Sequence, residues 1–110
     1  MFTPTSMIEG KEISDVHSDF KSAVRVEQYR LSQSALYLPE GLRWKYIPLS
    51  EIQNVEESFR VISAGHCVPV REKRPEIDIS FSGQTLHLHL EKQESMQKIL
   101  EGIKKESSGI

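Results

Sequence analysis

The sequence is short of most of the features that announce a function. Its 110 residues hold one cysteine, Cys67, so no intramolecular disulfide can form, and a reducing compartment is expected. Charge of one sign is missing too: fourteen Lys and Arg against sixteen Asp and Glu leave −2, which supplies no global field toward nucleic acid or an anionic membrane. No run approaches the roughly 20 apolar residues of a membrane span. Met1 to Ser6 carry neither the basic start nor the apolar core of a secretion signal, and the cytoplasm is the expected location. There is no glycine-rich phosphate loop and no interleaving of aromatic and basic residues of the kind that stacks bases. Aromatics are only 7% of the chain, no repeat recurs, and no Gly or Ser linker divides it. One domain is expected, since a chain of this length buries a sufficient core unaided.

What is present is clearest from Glu76 to Lys105. Ile77, Ile79 and Phe81 alternate with Asp78 and Ser80, Ser82-Gly83 follows, and Leu86, Leu88 and Leu90 alternate with His87 and His89. This predicts a hairpin with one apolar face. A two-residue turn at Ser82-Gly83 would set Ile79 opposite Leu86 and Ile77 opposite Leu88, with Asp78 opposite His87 and Glu76 opposite His89 on the other face. The period then changes. Met96, Ile99, Leu100 and Ile103 form the stripe of an amphipathic helix.

Upstream, Thr3-Pro4-Thr5-Ser6 reads as a loose arm, and Ile13, Val16 and Phe20 permit a short helix or an irregular lead-in between Lys11 and Lys21. Val24 through Leu31 reads as a strand with a slip in phase near Gln28. A short strand Ala35 to Leu38 is stopped by Pro39, and Pro39-Glu40-Gly41 makes a turn. Leu42, Trp44 and Tyr46 then face one way and Arg43 and Lys45 the other, until Pro48. Val55 to Ile62 suggests a strand broken by Glu56-Glu57, and Ser63 to Pro75 a long connection with one short strand near Val68 and Val70. Strands in succession with a helix last favour a meandering antiparallel sheet closed by its tail.

The runs Tyr29 to Ser32, Ala35 to Leu38 and Arg43 to Ile52, the last containing Ile47-Pro48-Leu49-Ser50-Glu51-Ile52, resemble the opening of pleckstrin-homology-like and GRAM-like domains. The finish, Leu86 to Leu90 running into a helix from Glu94 to Lys105, is similar to theirs as well. The resemblance implies a mainly β fold: a bent antiparallel barrel or sandwich over residues 22–106, capped by one C-terminal helix. Residues 1–21 would be an arm and lead-in, and 107–110 a disordered tail. It points to bacterial members of unknown role, and to recognition of proteins or lipids. The family's phosphoinositide binders use basic residues between the first two strands. Here that loop is Ser32-Gln33-Ser34 with only Arg30 beside it, which argues against that ligand.

The remaining constellations have plain readings. His87 and His89 have a spacing at which imidazoles can share a metal, with Asp78 or Glu76 across from them, but a solvated strand face accounts for the alternation and no metal is assigned. Cys67 beside His66 lacks an orienting third group, so no catalytic residue is assigned and the chain is read as no enzyme. No cofactor or small-molecule substrate is evident. Arg43, Lys45, Arg71, Lys73 and Arg74 are the candidates for an anionic ligand or lipid. Val24, Val26 and Trp44 are the candidates for a partner, the valines through an edge strand open to another chain or to a second copy. The expected role is a cytoplasmic protein-binding module, possible as a homo-oligomer; the alternative is a peripheral membrane module.

Overall fold

The computed structural model describes residues 3–64 and 70–107. Their alternation of β-branched and aromatic residues with polar ones produces a mainly β molecule with two separate sheets and a long C-terminal helix. The final hairpin forms as its spacing predicts. Strands β7 (Val70–Phe81) and β8 (Gln84–His89) pair through Ile79 with Leu86, Ile77 with Leu88, Asp78 with His87 and Glu76 with His89. Ser82 and Gly83 both take left-handed backbone, φ 45° and 75°, which matches the twist of the flanking strands. β6 (Ile52–Ala64) completes this sheet in the order β6-β7-β8.

The other sheet contains β1 (Thr5–Ser6), β2 (Val24–Val26), β3 (Tyr29–Leu31), β4 (Ala35–Glu40) and β5 (Arg43–Pro48), ordered β1-β5-β4-β3-β2. Helix α2 (Gln93–Ser107) buries Met96, Ile99, Leu100 and Ile103 in a core shared with Leu36 and Ile47 of this sheet and Ile77 and Leu88 of the other. Burial of side chains this size stabilises by about 1.5–3 kcal/mol each, so the stripe is what couples the two sheets. On the opposite face of the five-stranded sheet, Ala35, Tyr37 and Tyr46 form a second cluster. It is covered by α1 (Val16–Ser22), whose Phe20 meets the edges of Tyr37 and Trp44 at 5.0 and 5.1 Å between ring centroids. The layers are therefore α1, the first sheet, then the second sheet with α2.

Several expectations change. Thr5–Ser6 is not a loose arm: it pairs in parallel with Lys45 and Tyr46 of β5. The lead-in resolves into α1, seven residues long, and Ile13, Val16 and Phe20 all pack on the second cluster. The slip near Gln28 is a full turn, because Glu27 takes φ 55° and divides the run into β2 and β3. Pro39 does not end β4; it pairs opposite Trp44, and the turn moves on to Gly41-Leu42, with Gly41 at φ 61° and Leu42 exposed. Glu56-Glu57 does not interrupt β6, because a long antiparallel partner holds both residues in register, opposite Asp78 and Ile77. The long connection becomes strand on both sides, from Ser63-Ala64 and from Val70 onward; Val68, His66 and Cys67 lie outside the described residues. No ladder joins β6-β7-β8 to the first sheet among the described residues, so the strands form two sheets and not a closed barrel.

Candidate functional site

β2 is short for a local reason. Val24 and Val26 favour extended backbone, but the left-handed turn at Glu27 folds the chain back after three residues, so that Val24 lies opposite Leu31 and Val26 opposite Tyr29. The strand ends the sheet order, and no further described strand pairs with its outer side. Glu27 also fixes the turn against α2: its carboxylate accepts the backbone N–H groups of Glu91 at 2.8 Å and Lys92 at 3.1 Å, just ahead of the helix. A carboxylate is favourable there because it stands at the positive end of the helix dipole.

Between β2 and α2 lies a groove of about 620 Å³. Val24, Val26, Leu31 and Gly102 supply apolar lining, with Asp19 of α1 and Lys98 of α2 at its margins. Val24 is 65% exposed while Val26 is buried, so the edge offers one open and one seated valine. Asp19 accepts the hydroxyls of Ser32 and Tyr37, both at 2.5 Å, and so joins α1 to the loop and to the sheet. Burial, and after it the hydrogen bond to Asp19, pushes the Tyr37 hydroxyl well above the usual range, keeping it a neutral donor. At Gly102 the helix touches Leu31 so closely that a Cβ would collide with Leu31 Cδ2.

Of the residues singled out in the sequence, Val24 and Val26 meet at this groove. Trp44 does not: it is half-buried on the far face of the sheet, against Phe20 and near the Arg30 guanidinium. The five basic candidates divide between the sheets. Arg43 and Lys45 stand on β5, where Lys45 pairs with Glu40 at 2.5 Å; Arg74 on β7 pairs with Glu91 at 2.5 Å. Lys73 is exposed, opposite Val61, and the backbone of Arg71 pairs with Ser63. Comparison with known families, with curated proteins and with solved structures returns no match. The groove is thus described by its own chemistry.

Asp19, Lys98 and Gly102 were missed from the sequence. Gly102 gave the one usable signal, a glycine inside a helix, where it costs about 1 kcal/mol relative to alanine and usually marks close packing. On the outer face of the other sheet, His87 Nδ1 lies 2.6 Å from Asp78 Oδ1 and His89 Nδ1 3.1 Å from Glu76 Oε1. The hydrogen bond to Asp78 raises the His87 pKa above its ordinary value; desolvation opposes this, and the charges of Asp78 and Glu76 add to it.

Proposed function

We propose that the chain is a non-enzymatic, cytoplasmic interaction module of pleckstrin-homology-like fold that binds an extended segment of a protein partner along β2. One observation carries this: an open strand edge coincides with an apolar groove. Main-chain pairing with Val24–Val26 supplies affinity without regard to sequence, and the groove beside Leu31 and Gly102 selects an apolar side chain on the incoming segment. The one carboxylate in the lining, Asp19, is already engaged by Ser32 and Tyr37, which favours adhesion over chemistry. Two sheets over a common core with a terminal helix across them support the pleckstrin-homology-like assignment.

The test is selection of peptides from a random displayed library, followed by backbone NMR mapping. Peptides with an apolar anchor that shift the amides of Val24–Val26 and the groove side of α2, and that Val24→Lys weakens at least tenfold, support the proposal. Selected peptides that map elsewhere overturn it. Light scattering on the free chain identifies a second copy as the occupant if a defined dimer forms and Val24→Lys dissolves it.

A second reading has its own observation. Phe59 and Val61 are 56% and 60% exposed on β6, on the same face as exposed Lys73, and this combination suits an anionic bilayer surface. Flotation with phosphatidylserine vesicles, lost in high salt and in Lys73→Glu, would favour a peripheral membrane role over peptide capture.

A further inference from the structure

The polar face of the second sheet is more ordered than solvation requires. Register stacks two cross-strand rows on it: Glu56, Asp78 and His87 from β6, β7 and β8, then Ser58, Glu76 and His89. Donor atoms of Glu76, Asp78 and His87 all lie within 4.8 Å of one another, and His89 closes the group through its 3.1 Å approach to Glu76. The carboxylate side chains are largely covered, 25% and 15% exposed for Asp78 and Glu76, whereas the imidazoles that meet them are 54% and 51% exposed. Glu56 lies directly opposite Asp78, and like charges facing across strands are destabilising unless something positive intervenes.

We propose that this face of the β7–β8 hairpin binds one divalent cation of the zinc type, held by His87 and His89 together with Asp78 and Glu76. Two imidazoles and two carboxylates make a four-donor N/O set of the composition zinc accepts in tetrahedral geometry. Donors around such an ion, with bonds of about 2.0–2.2 Å, lie about 3.3–3.6 Å apart, so the three groups now within 4.8 Å draw together and the His89 ring turns in to join them. Magnesium and calcium prefer all-oxygen shells, so the imidazoles direct the choice toward zinc and its transition-metal neighbours. The two carboxylate charges balance the ion, so that Glu56 faces a neutral site. A bound ring donates a nitrogen lone pair, so an imidazole protonated on both nitrogens gives up one proton when the metal enters. The hydrogen bond that now orients His87 is replaced by a bond to the ion.

The test is calorimetric titration of the chelator-stripped chain with zinc sulfate at neutral pH. The expected result is saturable binding of one zinc per chain in the micromolar range, undiminished by millimolar magnesium. His87→Ala and His89→Ala each weaken it at least tenfold, and the double variant abolishes it. A His66→Ala, Cys67→Ser variant controls for binding elsewhere and leaves it unchanged. Zinc should also raise the melting temperature of the parent chain and not that of the double variant, whose circular dichroism confirms that it folds. Absence of saturable binding, survival of binding in the double variant, or its loss in the His66, Cys67 variant overturns the proposal.

Discussion

Glu27 shows how much one side chain can settle. Its left-handed backbone separates β2 from β3, and its carboxylate holds the chain just ahead of α2. Glu27→Ala removes the acceptor for two backbone N–H groups, and urea denaturation should find the variant about 1–2 kcal/mol less stable. His87 makes a prediction in pH. Facing it are Asp78 and Glu76 on β7, His89 on its own strand and Glu56 beyond Asp78. Because its folded pKa is raised, its contribution to stability is complete below the unfolded value near 6.5 and is lost as pH rises through the folded value. In the metal-free chain, NMR titration of the imidazole should give a midpoint above about 6.5 that Asp78→Asn brings down toward it.

At the scale of elements, α2 is the part whose loss would be felt most. Ile99 is fully buried among residues of both sheets, and Ile99→Ala should cost about 2–5 kcal/mol, measured as a fall in the urea midpoint. This helix and the β7–β8 hairpin were legible in the sequence because each has one apolar face against one core, so periodicity alone specifies it. The hairpin's pairing followed down to four cross-strand pairs. The strands around Pro39 and Glu56-Glu57 were misread for the opposite reason. A proline and an acidic pair look like interruptions locally, but pairing with Trp44 and with β7 outweighs local preference, an effect set by residues far away in sequence. The candidate site was half legible. Two valines announced an edge, whereas the groove needs α1 and α2 brought beside it, which no local pattern encodes.

The whole molecule measures 52 × 34 × 25 Å, and the strands of its second sheet are unequal: 13 and 12 residues in β6 and β7 against six in β8. β8 pairs with β7 only from Glu76 to Phe81, and beyond Pro75 the β6–β7 pair continues as a two-stranded ribbon. Phe59 and Val61 stand exposed on it, so replacing both with threonine should change stability by no more than about 0.5 kcal/mol in urea while reducing any self-association seen by light scattering. Pro75 itself is buried opposite Phe59; it has no N–H, and its carbonyl accepts that of Leu90, where the chain leaves β8. Arg60 and Arg74, opposite each other at the next position, are tied to the Leu90 carbonyl and the Glu91 carboxylate. Among the described residues, thickness changes abruptly along this line, from three paired strands to two, and so does resistance to bending. The protruding arm is a cantilever whose aim is set at its clamp, so alterations around Pro75 would swing Val61 and Lys73 without changing either residue.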